Sequence, residues 1–318
     1  MFLTPDAEPF WGGTYFPPQD RYGRPGFVSV LKTISRVFHE EPDKVRTNAD
    51  AISARLKPHH AEGDGAALND ATLSNLARRF LQAVDPVQGG IRGAPKFPQT
   101  QFFGFLWRAG LRYGLPNPRE AVDLTLTQIA QGGIYDHLGG GYARYSVDER
   151  WLVPHFEKML YDNALLIELM TESWRETKSP LYAQRIEETV GWLTREMTTE
   201  GGAFAASLDA DSEGEEGKFY VWSLAEIEDV LGADDAKLFA EIYDVTAHGN
   251  FEGHTILNRL NAIALRDAET EARLAAMRAK LLERRAGRIR PARRQGARRL
   301  ERADDRRASG RGRRLRQA

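Results

Sequence analysis

The sequence predicts a mainly helical protein, in which a small segment of mixed α/β character precedes helical hairpins stacked towards a toroid. Three observations point there. Beyond residue 68, apolar residues recur three and four positions apart, the spacing of one helix face. Two short apolar runs near the N-terminus are instead bounded by turn residues, as strands are. Gly-Gly pairs at Gly89-Gly90, Gly132-Gly133 and Gly201-Gly202 each precede an apolar residue and then loop material, which suggests a repeated hairpin. Any one pair would serve equally well as a helix C-cap; their recurrence favours the repeat.

Length and composition fit this picture. A chain of 318 residues has material for two domains. With 42% apolar and 28% charged residues it is ordinary for a globular protein. No apolar run approaches the ~20 residues needed to span a bilayer, and the opening Met1-Phe2-Leu3-Thr4-Pro5-Asp6 lacks the pattern of a signal peptide. The default location is therefore the cytoplasm, with no membrane partner. The chain has no cysteine, which excludes disulfides, thiolate metal ligands and thiol nucleophiles from it.

Taken in order, Met1 to Leu3 is a first short strand, Thr4 to Ala7 a turn, and Phe10 to Phe16 a second strand closed by Pro17-Pro18. A lone two-stranded hairpin is marginal in water, so this one needs further strands. Phe27, Val30, Leu31, Ile34, Val37 and Phe38 then line one helix face, and a more polar helix follows to about Leu56. Residues 57–67, rich in Pro, Gly, His and Ala, read as a linker. Leu73, Leu76, Ala77, Phe80, Leu81 and Val84 form the next amphipathic face. Further helices are expected over Phe102 to Tyr113, Ala121 to Ala130, Leu160 to Trp174 and Leu181 to Met197. Leu165, Leu166, Ile167, Leu169 and Met170 make the third of these apolar nearly all round. Ile186, Val190, Leu193 and Met197 give the fourth a single stripe.

Three segments carry a specific likeness: residues 89–98 (GGIRGAPKFP), 132–166 (GGIYDHLGGGYARYSVDERWLVPHFEKMLYDNALL) and 208–222 (LDADSEGEEGKFYVW). Together with the opening FLTPD and GGTYFPP, they resemble the YyaL-type thioredoxin-domain proteins, spermatogenesis-associated members included. The likeness covers roughly residues 1–285. It implies a thioredoxin-like domain joined to an (α/α)6 barrel similar to those of glycosidases and sugar epimerases. Residues 1–56 match only the last part of such a domain, and the Cys-rich segment that the family carries upstream is absent from this chain. The expected fold is thus a partial (α/α)6 toroid over 68–285, preceded by the C-terminal remnant of a thioredoxin-like α/β domain. The family's redox role does not transfer to it.

The C-terminus departs from the resemblance. Arg284 to Ala318 holds fifteen arginines against Glu301, Asp304 and Asp305, while the rest of the chain is acidic overall. Such asymmetry often marks a nucleic-acid arm. Here, plausible codons for Ala292 to Ala308 read one base later give a peptide much like the family's continuation. A frameshift near Pro291 would explain the arginines that follow it, so nucleic acid ranks last among the partners. Residues 286–318 are expected to form an out-of-frame tail with no packed core.

The richest chemistry lies between Gly132 and Asn163. A histidine with carboxylates on loops at a barrel mouth is what acid–base work on a sugar needs, one group to give a proton and one to take it. His155, Glu157, His137 and Asp162 are the catalytic candidates. Arg144, Asp209, Asp211, Tyr142 and Trp151 are the candidate substrate contacts, the aromatics as stacking faces for sugar rings. For each, the plainer alternative is core packing or a solvated loop.

No metal site is expected. His137 and His155 are not at helical spacing. Asp209, Asp211, Glu213 and Gly214 resemble the start of a calcium loop, but Tyr220 occupies the position that needs a bidentate Glu; an acidic loop between strands at 204–208 and 218–222 fits better. No phosphate loop or other cofactor motif is present: Gly139-Gly140-Gly141 lacks the following Lys-Ser/Thr. The leading expectation is a carbohydrate-type site taking a carbohydrate or other small molecule. The alternatives are a non-catalytic binding or scaffold protein and an inactive, decayed remnant.

Overall fold

The computed structural model describes residues 1–14, 16–21, 23–56 and 69–294. Cα packing divides the chain into two units, Met1–Ala67 and Leu68–Ala318. The expected linker at 57–67 and the arginine-rich stretch from 295 onward lie outside the described residues.

The first unit opens with an antiparallel pair, β1 (Phe2–Leu3) and β2 (Pro9–Trp11). Two helices follow, α1 (Phe27–Glu40) and α2 (Pro42–Leu56). Phe10, Val45 and Ala49 are buried between them, with Ile34, Val37 and Phe38 packed alongside. The second strand, expected to run to Phe16, stops at Trp11. Gly12 and Gly13 interrupt the run, and the Phe16 ring turns back to stack on Trp11 at 5.7 Å. Of the expected α1 face, Val30 is buried, whereas Phe27 and Leu31 are exposed.

The second unit is mainly helical. It begins with α3 (Asp70–Leu81), α4 (Thr100–Tyr113) and α5 (Pro116–Gln131). Asn69 caps α3 by accepting from the Thr72 N–H at 2.9 Å. Pro116 opens α5, where a missing N–H costs nothing. Short strands β3 (Tyr145–Ser146), β4 (Pro154–His155) and β5 (Lys158–Met159) lead into α6 (Leu160–Thr177). Next comes α7 (Pro180–Trp192), ending in a π-helical turn over Leu193–Met197. Strands β6 (Ser207–Leu208), β7 (Asp211–Ser212) and β8 (Glu215–Glu216) precede α8 (Leu224–Leu231), α9 (Ala233–Tyr243) and α10 (Ala268–Ala286), with β9 (Arg293–Arg294) after them.

Consecutive helices pack as hairpins: α3 on α4, α4 on α5, α6 on α7. Alternate helices also pack, α3 with α5 and α5 with α7 in one layer, α4 with α6 in the other. Hairpins placed side by side in two layers are the construction of an (α/α) toroid. The main core lies between the layers around Phe103, Trp107, Ile129, Trp151 and Leu166, and a second core joins α8, α9 and α10.

Three expectations are corrected here. The inward face of α7 carries Leu181, Tyr182, Arg185, Thr189 and Trp192, whereas Val190 is exposed. Its buried stripe is partly polar because Arg185 finds partners inside. The strand expected at 204–208 shrinks to β6 with a Thr198–Phe204 bridge, and that at 218–222 to a Trp222–Thr255 bridge. The acidic stretch between them forms the β7–β8 hairpin itself. Finally, residues 286–294 are not a free tail. The Arg288 guanidinium donates to the carbonyls of Phe219 and Val221 and to Glu226, and β9 pairs with β6. Free carbonyls and an open strand edge supply the partners.

Candidate functional site

The segment from Pro154 to Met159 is extended, and its burial alternates strictly. Pro154, Phe156 and Lys158 are buried; His155, Glu157 and Met159 are partly exposed. Successive side chains of an extended chain point to opposite faces. One face of this segment therefore builds the interior and the other builds a surface site.

On the outer face, antiparallel pairing sets Tyr145 opposite His155, and the two rings stack at 5.0 Å. Phe97 lies against Tyr145 at 4.6 Å. His155 Nδ1 is 2.7 Å from Glu216 Oε1, so a residue of the β7–β8 hairpin completes the site. Its Nε2 lies 3.7 Å from Glu157 Oε2, and the Arg144 guanidinium donates to the same oxygen at 3.3 Å. Asp162, in the first turn of α6, is half-buried, and its Oδ2 is enclosed without a hydrogen-bond partner. Burial raises its pKa to about 6; the Arg144 charge opposes the rise and the Glu157 charge adds to it. His155, Glu157, Asp162 and Arg144 are thus brought together. Beside them opens a groove of about 860 Å³, lined by Glu213, Glu216, Lys218, Glu252 and His254 among others.

The inner face meets a buried ionic network. Asp136 accepts from Lys158 Nζ at 2.9 Å, from both terminal nitrogens of Arg285 at 2.8 Å, and from the N–H groups of Leu138 and Gly139. Burial would raise the Asp136 carboxyl, but Arg285 and Lys158 outweigh it and hold it far below the usual carboxylate range. The Gly139-Gly140-Gly141 turn has a steric reason. Side chains there would overlap Arg285, the Glu188 carbonyl and the Trp192 ring respectively, and Gly140 and Gly141 both have φ +81°.

His137 belongs to this interior rather than to the outer cluster. It is buried, with Nε2 donating to the Gly132 carbonyl at 3.0 Å and Nδ1 facing Arg185 at 3.4 Å. Burial, then the Arg185 charge, push its imidazole well below its usual pKa, so it is neutral. Arg185 itself donates to the Ala130 carbonyl, Gln131 and Glu188, and Glu188 also accepts from Tyr135 and Arg278.

Two expected substrate contacts are corrected. Tyr142 is wholly buried, its hydroxyl on the Met170 sulfur at 3.3 Å. Trp151 is also wholly buried and donates from Nε1 to the Gln88 carbonyl at 2.9 Å. Trp151 is the wedge against which two glycine pairs close: a Cβ on Gly90 would strike its ring, and one on Gly132 its carbonyl. Gly202 has open space instead and is a plain turn, so the three pairs are not equivalent. Asp209 is half-buried and its Oδ1 accepts from the Ala210 N–H; Asp211 is exposed on β7. Among the described residues, no group of three or more His, Asp or Glu side chains is placed to hold a metal ion, and no helix is long and apolar enough to cross a membrane.

The reading from sequence missed Glu216, Arg185, Glu188, Arg278 and Arg285. Glu216 lay in the third family-like segment and Arg285 at the head of the arginine-rich stretch. The others sit in regular helices, where charge at one position carries no mark of burial.

Fold and site together define a protein in which a small α/β unit precedes a mainly helical, toroid-forming unit with a polar cluster on its loops. Residues 1–57 match the model Thioredox_DsbH, described as a protein of unknown function. The chain is 33% identical over 273 residues to spermatogenesis-associated protein 20 of Mus musculus and, equally, to that of Homo sapiens, covering 79% of this chain. An uncharacterized protein of Caenorhabditis elegans is 33% identical over 269 residues. The chain belongs to this thioredoxin-domain family. It spans about a third of the length of the curated relatives it matches, 35% for the mouse protein. Among solved structures, an unsaturated glucuronyl hydrolase specific for heparin superposes with a TM-score of 0.38 and 12% identity, over 75% of this chain and 59% of that one.

Proposed function

We propose that the helical unit binds a carbohydrate-class ligand over the Tyr145–His155 face and exchanges a proton with it through Asp162. The observation that carries this reading is the enclosed, unpartnered Asp162 oxygen with a pKa of about 6, beside Glu157 and Arg144. A carboxyl poised near neutral pH can serve as a general acid. Glu157, held by Arg144, supplies the charged partner, and the stacked Tyr145 and His155 rings, with Phe97 tilted against Tyr145, offer apolar faces for a sugar. Asp209, just before the β7–β8 hairpin, and Asp211, paired with Glu216 within it, would contact a further part of the ligand. With no cysteine in the sequence, thiol chemistry has no place in this proposal.

The test is a carbon-13 NMR titration of the Asp162 carboxyl, with and without a panel of mono- and disaccharides. A ligand that moves both the Asp162 pKa and the His155 ring signals, and whose binding weakens at least tenfold in His155→Ala, supports the reading. If no sugar perturbs either signal at millimolar concentration, the site is not a carbohydrate site.

A further inference from the structure

Beneath β4 lies a cavity of about 30 Å³, separate from the outer cluster. Pro154, Phe156 and Lys158 line it from the inward face of the alternating segment, with Asp136, Tyr220 and Arg285 around them. Two of these residues carry buried donors without partners among the described residues. The Tyr220 hydroxyl and the Arg285 Nε–H each make no hydrogen bond, although Tyr220 is 9% exposed and Arg285 1%. Burial pushes the Tyr220 hydroxyl far up from its usual pKa, so it keeps its proton and remains a donor. Buried donors in native proteins almost always have a partner.

The charge balance narrows the identity of that partner. Lys158 and Arg285 are both cationic, and the one carboxylate among the described wall residues, Asp136, already accepts five hydrogen bonds. Glu196, whose charge reaches Lys158 and Arg285, is itself paired with Arg195 at 2.6 Å. His137, also on the wall, is neutral. Two cations face one carboxylate whose oxygens are saturated, which leaves a positive potential and two free donors. The rest of the wall, including Ile134, Ala143 and Ile256, is apolar and suits a weakly hydrated ion. The volume admits one water or one ion of similar size.

We propose that this cavity binds a single small monovalent anion of the halide class, chloride being the probe of choice. The anion accepts from the Tyr220 hydroxyl and Arg285 Nε and offsets the second cation. It lies on the inner side of the same extended segment whose outer side bears His155 and Glu157.

The experiment uses the full chain in thermal unfolding, with sodium chloride replaced stepwise by sodium gluconate at constant ionic strength. Chloride should stabilise saturably: a site with Kd of ~10 mM would raise the folded-to-unfolded ratio roughly tenfold at ~100 mM. Tyr220→Phe should lose most of that increment, and Tyr142→Phe, a buried tyrosine outside the cavity, should keep it. Chloride NMR line broadening, present with the wild type and relieved in Tyr220→Phe, gives a readout that does not depend on unfolding. Superimposable chloride and gluconate curves, or an equal chloride increment in Tyr220→Phe, would overturn the proposal and assign the cavity to water.

Discussion

Replacing Asp136 by Asn keeps its shape and removes its charge. In the folded protein the carboxylate pairs with two buried cations: Lys158 and Arg285 have side chains only 3% and 1% exposed. Its amide replacement must present an N–H to one of them, so a donor faces a donor. Breaking one side of a buried, hydrogen-bonded ion cluster costs ~3–5 kcal/mol. For a unit of this size that lowers Tm by roughly 6–20 °C. The variant also has a distinct pH signature. The folded pKa of Asp136 is depressed relative to an unfolded value near ~3.9. Its stabilisation is therefore complete above the unfolded pKa and lost as pH falls towards the folded one. The difference between wild type and Asp136→Asn, measured by urea unfolding, should be flat above pH ~5 and shrink below pH ~4. Adding Lys158→Met should recover part of the loss, because it removes one stranded cation. A loss under ~1 kcal/mol, or a difference that persists undiminished in acid, would refute the buried-network account.

Four further outcomes are expected. Asp162→Asn should stabilise the protein by about 1 kcal/mol at pH 7, after discounting for its half exposure, and the gain should fade below pH ~6 as the wild-type carboxyl takes up its proton; parallel urea curves at two pH values check this. Gly133→Ala should lower Tm sharply, since its Cβ would overlap the Leu152 carbonyl in the loop that leads to β4. Trp151→Phe should cost ~1–3 kcal/mol through the lost Gln88 bond and the void it leaves, without altering the affinity of any ligand found for the outer cluster. Arg288→Ala should destabilise the C-terminal packing, seen as faster amide exchange around Phe219 and Val221.

Much of the architecture could be read from periodicity. The helices expected over 102–113, 121–130 and 160–174 occur as α4, α5 and α6, each one to five residues longer at an end. Helical spacing reports which residues share a face, and in α4 that face is the core face. It failed on α7, because the rule assumes that the buried face is the apolar one. There Arg185 and Thr189 turn inward and Val190 outward. Helices α8, α9 and α10 were not read individually, although Ser223 with Glu226 forms a capping box whose sequence pattern marks a helix start.

The candidate site was legible in composition but not in arrangement. His155, Glu157, Asp162 and Arg144 were named from their chemistry and do gather on one surface. His137, Tyr142 and Trp151, equally plausible by residue type, are interior. The dividing rule was present in Pro154-His155-Phe156-Glu157-Lys158, whose two-residue period puts the catalytic candidates on one face and Lys158 on the other. What the sequence determined alone was local: the helix-forming periods, the lack of cysteine, and a family motif rich in acid–base groups. Only the tertiary structure decided which charges are buried and with whom. Arg285, 149 residues from Asp136 along the chain, meets it at 2.8 Å, and no local pattern encodes a pairing at that separation. Such a contact exists because folding leaves a buried charge a partner, and the partner is fixed by the packing of helices rather than by neighbours in sequence.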